Sequence, residues 1–416
     1  MIQIAILGYG VVGSGVAEVC RMNRDIIRQR AGEDIQIKKI LDIRDFPEDP
    51  YADRFTHDPA DIFLDPDISV VVEAIGGAGI AYELSRQALN HHKHVVTSNK
   101  ELVATFGPEL MLLARTNGVS YMFEASVGGG IPIIRPLHKC LSANVIQTIS
   151  GILNGTTNYI LTRMEQSGID FNTALLEAQT LGYAEQNPTA DISGLDSCRK
   201  IAILSSITFS EFIDYRLIYT EGISGITAED IVWARRLDCK IKLLGCFRRQ
   251  DEQTADLIVA PMLLPRRNPI AVADDVYNAI RVEGNALGEA MFYGRGAGRL
   301  PTASAVVADV IECVMHINRV PHLVPWIKKE RQIVLTHADC PVSALIRLSR
   351  EISRPAIENA FAGASLDWLD DPEGCEWAVI AGNDGRLTEG ALGEALKSCD
   401  GAVISRIRTF QNISQF

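Results

Sequence analysis

Acidic and basic side chains lie close together in residues 181–200, LGYAEQNPTADISGLDSCRK. Gly182 is typical of the left-handed residue that ends a helix, and Glu185 follows it in a polar loop. Asp196 and Lys200 are four residues apart in the next predicted helix, so both point from one face. Carboxylates bind an ammonium group, and a lysine suits an oxygen atom that gains or loses a proton. The stretch predicts a pocket for a small zwitterion; the alternative is an exposed ion pair beside an ordinary loop.

The beginning of the chain carries the sequence pattern of a dinucleotide-binding turn. Residues 2–7, IQIAIL, predict a strand, G-x-G-x-x-G follows at once, and a helix is predicted from there to about Arg28. The glycines allow a tight turn, close approach of a pyrophosphate and packing of the helix on the strand, in that order. The helix N-terminus then faces the phosphates. The predicted cofactor contacts in this turn are Gly8, Gly10, Val11, Val12 and Gly13.

The second predicted strand, residues 35–43, ends beside two residues of opposite charge. Asp42 would accept hydrogen bonds from a free ribose 2′-hydroxyl, which favours NAD. Arg44 would bind a 2′-phosphate, which favours NADP. Because both residues are present, the sequence leaves the choice between the two cofactors open.

Two further apolar strands, residues 69–75 and 94–97, predict that the sheet is parallel and doubly wound. Gly76 follows the first of them, and Lys100 follows the second at the start of a helix. Ligands of such sheets bind beyond the carboxyl ends of the strands, where nicotinamide and substrate should meet. The alternative for Lys100 is a solvated side chain, although the first turn of a helix disfavours a cation.

A glycine-rich loop, residues 128–130, follows a predicted strand at 120–124. Its backbone carbonyl groups and Glu124 could bind a monovalent cation through oxygen atoms. A hinge that leaves the nucleotide-binding domain is an equally good interpretation of the same spacing.

The pattern changes from Ile131 onward to a mixed α+β order. Asp191 or Ser193 is predicted to cap the helix that carries Asp196. The predicted helices are 131–141, 159–166, 171–181, 228–244 and 302–317, and the predicted strands are 145–153, 257–264, 279–284 and 291–294. The helix 302–317 follows a glycine-rich turn and is expected to pack back on the nucleotide-binding domain.

The last part of the chain follows a predicted linker, residues 319–330, and has the ferredoxin-like order β-α-β-β-α-β. The predicted strands are 332–338, 356–362, 377–382 and 402–410, and the predicted helices are 341–352 and 387–399. The predicted domains are a dinucleotide-binding domain (1–130 with helix 299–318), a catalytic, substrate and dimerisation domain (131–298) and a C-terminal domain (331–416).

Composition excludes several classes of protein. A formal charge of −12 and a pI near 5.2 argue against a general nucleic-acid binder and against a binder of anionic membranes. The sequence contains no run of about 18 apolar residues, so no membrane span is predicted. Its apolar start is predicted to be a strand, because it lacks the basic residues of a signal peptide. The nine cysteines are scattered without C-x-x-C or metal spacing, which predicts reduced thiols and a cytoplasmic location.

Six motifs between residues 4 and 320 resemble those of homoserine dehydrogenase, in its bacterial form with a C-terminal ACT-type domain. They are GYGVVGSGV, TSNKELVA, FEASVGGGIPII, GILNGTTNYIL, LGYAEQNPTADISGLDSCRK and YGRGAGRLPTASAVVADV. The resemblance implies a Rossmann-type parallel sheet, an α+β substrate domain and a ferredoxin-like ACT-type domain. It also implies reversible reduction of L-aspartate 4-semialdehyde to L-homoserine by NADPH or NADH, and a homodimer or homotetramer.

The same resemblance implies roles for individual residues. Lys100 and Lys200 would be the catalytic lysines, with Lys200 as proton donor, and Glu185 and Asp196 would hold the amino-acid end of the substrate. Further cofactor contacts would be Arg44, Gly76, Lys100, Gly182, Glu185 and Gly298, and a sodium ion would be bound by Glu124, Val127, Gly129 and Ile131. The chain departs from the family pattern at Asn187, where the family usually has Asp, and in Pro341-Val342-Ser343, which lacks a Pro-Gly turn.

Two other functions compete with this interpretation. A semialdehyde dehydrogenase that acylates a cysteine would need a nucleophilic Cys before a helix, and no Cys has that position. A regulatory protein of the same fold would bind NAD(P) without turnover. The presence of Lys100, Lys200, Glu185 and Asp196 speaks against such a sensor, which needs no proton donor.

Overall fold

The computed structural model describes residues 1–317, 326–328 and 331–410. The chain divides into two compact units. The nucleotide unit comprises 1–146, 199–215 and 284–330, and the mixed-sheet unit comprises 147–198, 216–283 and 331–416. The three predicted domain boundaries stay a prediction, and most of the predicted linker 319–330 lies outside the described residues.

The nucleotide unit contains a six-stranded parallel sheet with the order β3-β2-β1-β4-β5-β6. The strands are β1 (Ile2–Leu7), β2 (Ile35–Leu41), β3 (Phe55–Thr56), β4 (Ile68–Glu73), β5 (His94–Thr97) and β6 (Tyr121–Met122). The strand order reverses direction between β1 and β4, as in doubly wound sheets. The near-continuous apolar sequence of β1 and β4 explains their position in the middle of the sheet, where both faces are covered. The predicted Rossmann-type sheet is therefore confirmed.

The first helices of the chain join these strands. They are α1 (Val11–Met22), α2 (Arg24–Ala31), α3 (Ala60–Phe63), α4 (Gly79–Asn90), α5 (Lys100–Thr116) and α6 (Ala125–Gly128). The prediction of one helix from Val11 to about Arg28 was wrong, because the chain breaks at Asn23, which has φ −112° and ψ 22°. The predicted strand 120–124 is shorter than expected, since Glu124 already has helical dihedral angles.

The remaining strands and helices follow in chain order. They are β7 (Ile146–Ile152), α7 (Gly155–Ser167), α8 (Phe171–Thr180), α9 (Thr189–Ile192), α10 (Leu195–Phe209), β8 (Tyr219–Thr220), α11 (Ala228–Arg236), β9 (Cys239–Arg249), β10 (Ala255–Pro265), β11 (Tyr277–Gly284), β12 (Gly288–Arg295), α12 (Arg299–Met315), β13 (Ala344–Ser349), α13 (Arg354–Ala360), β14 (Leu366–Leu369), β15 (Glu376–Ala381), α14 (Glu389–Ser398) and β16 (Val403–Thr409). The sheet of the mixed-sheet unit runs β11-β7-β9-β10-β16-β13-β15-β14, with β8 beside β10. It contains parallel and antiparallel pairs.

Helix α12 packs against α1 in the core of the nucleotide unit, as predicted for the helix after the glycine-rich turn. A Cβ atom on Gly15 of α1 would lie 2.8 Å from the carbonyl oxygen of Arg299. The two helices therefore approach more closely than a larger residue at position 15 would permit.

The prediction of a helix over 228–244 was wrong beyond Arg236. Leu237 ends α11, and Asp238 has a left-handed φ of +50°, which stops the helix. The sequence from Cys239 then forms β9, which pairs along its length with β10. The predicted helix 131–141 also reduces to a short stretch that ends in one π-helical turn, Pro136–Cys140.

The C-terminal segment has the predicted ferredoxin-like order, but its first elements were assigned wrongly. The predicted helix 341–352 contains strand β13, and the predicted strand 356–362 is largely helix α13. Pro355 in the first turn of α13 fixes that helix start, a signal that the apolar pattern concealed. The spatial order β16-β13-β15-β14 with antiparallel neighbours is that of a ferredoxin-like sheet.

Buried ion pairs attach the C-terminal segment to the rest of the mixed-sheet unit. Arg347 of β13 pairs with Asp230 of α11 at 2.6 Å and with Glu376 of β15 at 2.9 Å. Arg408 of β16 donates to both oxygens of Glu389 and also pairs with Glu221. Breaking such a pair leaves a buried charge without its partner, which is costly.

The acid sensitivity of the mixed-sheet unit is expected to depend on Glu389. Burial opposes its ionisation, but hydrogen bonds from His337 and Arg408 outweigh burial and lower the pKa of Glu389 to about 2. The stabilisation is complete above the unfolded pKa of about 4.3 and is lost as the pH falls toward 2. Glu389→Gln should therefore reduce the free energy of unfolding at pH 7 by roughly 2 kcal/mol, after allowance for partial solvent access.

Urea unfolding at pH 7 and pH 3, followed through tryptophan fluorescence, measures this effect. Glu389→Gln should lose less stability between the two pH values than the unsubstituted protein does. Glu394→Gln is the matched control, because Glu394 lies on the same helix in an exposed ion pair with Lys397. Equal acid sensitivity of Glu389→Gln and the unsubstituted protein would contradict the assignment.

Candidate active site

The glycine-rich turn between β1 and α1 has the geometry that its predicted role requires. Gly8 has φ +89°, a conformation that other residues rarely adopt. A Cβ atom on Gly13 would lie 1.9 Å from the carbonyl oxygen of Gly8, so only glycine lets α1 approach β1. Gly10 has no atom within 4 Å of the position of its missing Cβ. The turn is closed toward the sheet and open at Gly10, where a pyrophosphate would approach the N-terminus of α1.

Asp42 and Arg44 form an ion pair at the end of β2. Both Nε and Nη2 of Arg44 donate to the Asp42 carboxylate at 2.9 Å, and the backbone N–H of Tyr9 donates to it at 2.7 Å. The Arg44 guanidinium thus holds the pKa of Asp42 well below its usual range. The carboxylate is buried, whereas the Arg44 side chain is 57% exposed. A cation is therefore accessible where the ribose of a dinucleotide would bind.

Asn99 connects the loop after β4 to the start of α5. Its side-chain oxygen accepts from the backbone N–H of Leu102 at 3.0 Å and so caps the helix. Its amide nitrogen donates to the carbonyl oxygens of Ile75 at 3.0 Å and Gly77 at 2.6 Å. Lys100, the first residue of α5, is thereby held beside the glycine loop at the carboxyl end of the parallel sheet.

The segments that carry the two predicted catalytic lysines contact each other inside the nucleotide unit. Arg199 of α10 forms an ion pair at 3.1 Å with Glu101 of α5. These two residues directly adjoin Lys200 and Lys100 in the chain. Lys200 is buried, with 7% of its surface exposed. The structure thus brings both lysine positions to one region, although they are 100 residues apart in the chain.

In the mixed-sheet unit, two carboxylates converge on one amide. The side-chain nitrogen of Asn154 donates to Asp191 at 2.7 Å and to Asp196 at 2.9 Å. The side-chain oxygen of Asn154 accepts from the backbone N–H of Thr157 at 2.8 Å and caps α7. Because its oxygen is fixed by the helix, its nitrogen must point at the carboxylates. This arrangement could orient an acidic site toward a cationic group.

Sequence reasoning missed Asn154, although the pattern N-G-T-T before a helix is a capping signal. The sequence predicts Asp191 only as a possible cap, whereas in the structure Asp191 lies inside α9 and contacts Asn154. The predicted substrate residue Glu185 is exposed, and its carbonyl oxygen accepts from Gln179 at 3.2 Å. Gly182 has φ +74° just after α8, which confirms the predicted end of that helix.

The Glu124 side chain binds the backbone that follows the glycine-rich loop. Its two oxygens accept from the N–H groups of Ile133, Ile134 and Arg135 at 2.7 to 2.9 Å. Its own N–H donates to Asp309 of α12 at 2.8 Å. Gly129, with φ +55°, lies so close to the carbonyl oxygen of Gly296 that a Cβ atom would be 2.3 Å from it. Gly298 precedes α12 with φ +123°.

Other findings limit the chemistry of the chain. Within the described residues, no group of three or more His, Cys, Asp or Glu side chains could hold a metal ion. Nor is any helix in the described part long and apolar enough to cross a bilayer. The nine cysteines are free, and burial raises the pKa of Cys20, Cys239, Cys246 and Cys340 to about 12. Those four thiols are poor nucleophiles, which disfavours the acylating alternative.

A separate cavity of about 780 Å³ lies within the mixed-sheet unit. Its walls include Ser150 of β7, Arg248 of β9 and Ser343 beside β13. Glu389 and Arg408 of the buried ion pairs line this cavity, whereas Lys100, Lys200 and Asp196 do not, so its size does not make it the site of the chemistry.

The parallel sheet and its glycine turn are those of a nicotinamide-dependent oxidoreductase. The family models point to one kind: the model for the homoserine dehydrogenase NAD-binding domain matches residues 8–124, and the model for homoserine dehydrogenase matches residues 132–311. The chain belongs to the homoserine dehydrogenase family, which confirms the resemblance inferred from the motifs.

Individual relatives agree with this placement. Homoserine dehydrogenase of Pseudomonas aeruginosa is 44% identical over 328 residues, which is 77% of this chain and 75% of the relative. The crystal structure of a homoserine dehydrogenase from Thiobacillus denitrificans superposes with a TM-score of 0.90 at 38% identity, over 99% of this chain and 98% of that one. A hyperthermophilic archaeal homoserine dehydrogenase in complex with NADPH superposes with a TM-score of 0.65 at 27% identity. The superposition covers 77% of this chain and 99% of the archaeal one.

Proposed function

We propose that the chain catalyses the reversible reduction of L-aspartate 4-semialdehyde to L-homoserine with NADPH or NADH, a step in threonine, methionine and isoleucine biosynthesis. The observation that carries the proposal is the ion pair between Glu101 and Arg199, which are the direct chain neighbours of Lys100 and Lys200. Oxidation of NADPH on addition of aspartate semialdehyde tests it directly. Binding of NADPH without turnover would instead support the regulatory alternative.

The proposed chemistry assigns the two lysines to the carbonyl oxygen. When bound, the nicotinamide supplies the hydride. Negative charge then builds on the substrate oxygen, where the protonated amine of Lys200 stabilises it and donates a proton. A free lysine has a pKa of about 10.4, so it is a ready donor at neutral pH. For the reverse reaction Lys200 must lose a proton, which a second cation nearby, Lys100, favours.

The acidic residues would bind the amino-acid end of the substrate. Asp196 lies one helical turn before Lys200 on α10, so the two side chains leave the helix on one face. Asn154 holds Asp196 and Asp191 side by side, which suits a single ammonium group. We assign Glu185 to the same binding function by family resemblance.

Arg44 is proposed to bind the 2′-phosphate of NADP, and the NADPH complex of the archaeal relative supports this choice. Arg44→Ala should raise KM for NADPH about tenfold and leave KM for NADH within about threefold, because only the former has the phosphate. Initial rates with both cofactors measure the difference. Arg24→Ala, which removes an exposed arginine paired with Asp34, is the control. Equal changes with the two cofactors would refute the role.

A sodium ion, if bound, is proposed to contact the carbonyl oxygens of Val127, Gly129 and Ile131 and the backbone oxygen of Glu124. The Glu124 carboxylate fits this role poorly, because three backbone N–H groups already donate to it. The ion would fix the loop and take no part in proton transfer. Broadening of the ²³Na NMR signal by the protein, reversed by excess K⁺, tests the proposal; an unchanged signal would contradict it.

The remaining assignments follow from the family. We propose that the C-terminal segment is an ACT-type domain, that the enzyme is a homodimer or homotetramer and that it acts in the cytoplasm. Sedimentation equilibrium at enzyme concentrations used for the assay tests the oligomer, and a purely monomeric mass would overturn it.

A further inference from the structure

A buried carboxyl group lies beneath the loop that follows β4. Glu73 is the last residue of that strand, and none of its surface is exposed. One oxygen accepts from the backbone N–H of Ile75 at 2.6 Å, and the other accepts from the hydroxyl group of Thr97 at the end of β5. A polar group without partners at this depth would be costly, and these two hydrogen bonds offset that cost.

The hydrogen bonds of Glu73 continue to the start of α5. Thr97 Oγ1 accepts from the backbone N–H of Asn99 at 2.9 Å. The Thr97 hydroxyl group thus accepts from Asn99 and donates to Glu73. Asn99 in turn donates to the carbonyl oxygens of Ile75 and Gly77. The result is a closed ring of hydrogen bonds that joins loop 75–77 to the turn before Lys100.

We propose that Glu73 is a positioning residue for hydride transfer, which acts through Thr97 and Asn99 to hold the loop 75–77 and Lys100 in a fixed relation. The inference rests on the proposed function, since Gly76 and Lys100 are taken to border the nicotinamide and the substrate oxygen. Hydride transfer depends strongly on the distance and orientation of the reacting atoms, and a misplacement of about 1 Å can cost about 100-fold in rate. A rigid ring at this position reduces such misplacement.

The two donors of the ring favour the carboxylate form of Glu73. Two donors point at its oxygens, the Ile75 N–H and the Thr97 hydroxyl, and a protonated carboxyl would place its own proton against one of them. Burial raises the pKa of Glu73 to about 7, although these hydrogen bonds oppose the rise. Glu73 in turn raises the pKa of the buried Tyr121 of β6, which burial already raises. Turnover should therefore increase as the pH rises through about 7.

The first test removes the hydroxyl group of Thr97. Thr97→Val should lower kcat by about 10- to 100-fold, leave KM for NADPH within about threefold and increase the primary isotope effect with C4-deuterated NADPH. Thr97→Ser keeps the hydroxyl and should restore kcat to within about threefold. Ser85→Ala is the matched control, because Ser85 Oγ is also buried in the nucleotide unit but has no hydrogen-bond partner among the described residues. That control should leave all three quantities unchanged.

The second test concerns the pH profile. Glu73→Gln keeps the shape of the side chain but has no ionisable group, so the rise of kcat through about pH 7 should disappear. This measurement keeps the proposal testable even where Thr97→Val fails to fold. Wild-type kcat in Thr97→Val, failure of rescue in Thr97→Ser, or an unchanged pH profile in Glu73→Gln would each overturn it. An unsubstituted enzyme without turnover would instead refute the proposed function, so the two failures are distinguishable.

Discussion

Lys200→Ala is expected to lower turnover by about 10²- to 10⁴-fold with little change in the affinity for NADPH. The loss has two parts: no ammonium group stabilises the developing charge on oxygen, and no donor supplies the proton. The position of Lys200 supports a large effect, because only 7% of the residue's surface is exposed. Steady-state kinetics together with NADPH binding measured by fluorescence separate turnover from affinity.

Small primary amines provide the sharper version of this experiment. An amine that enters the cavity left by Lys200→Ala should restore part of the turnover, and the restored rate should rise with its concentration. Lys397→Ala removes an exposed lysine of the C-terminal segment and should have no effect. Full activity of Lys200→Ala without added amine would refute the assignment and with it the proposed mechanism.

The part of the site that depends on local geometry could be predicted from the sequence. Gly13 shows why: its role follows from a spacing of a few residues, and the 1.9 Å approach of its missing Cβ to Gly8 reflects that spacing. The end of α8 at Gly182 is equally local, since a left-handed residue can be inferred without any tertiary contact.

The errors arose where tertiary contacts decide between a helix and a strand. Residues 239–244 are apolar enough for either structure, and their pairing with β10 selects the strand. The same ambiguity shifted the C-terminal assignments, because β13 gains its hydrogen bonds from β15 and β16, which lie far along the chain. In both cases pairing with a strand elsewhere in the chain selects the strand conformation, and the local sequence does not show that pairing.

The acidic cluster shows a third limit of sequence reasoning. Asn154 and Asp196 are 42 residues apart, and nothing in their local patterns links them. Only the fold reveals that a helix cap also orients two carboxylates. The double use of Asn154 explains why an amide suits this position: a carboxylate could cap the helix but would repel Asp191 and Asp196.

Asp196→Asn is expected to lower kcat/KM for L-homoserine by about 100-fold, mainly through KM, because a neutral amide cannot balance the substrate ammonium group. A substrate analogue without the amino group isolates this interaction: its kcat/KM should be nearly the same for Asp196→Asn and the unsubstituted enzyme. Asp170→Asn changes an exposed cap in the same unit and should affect neither substrate. An equal loss for both substrates would show that Asp196 supports the structure of α10 without recognising the ammonium group.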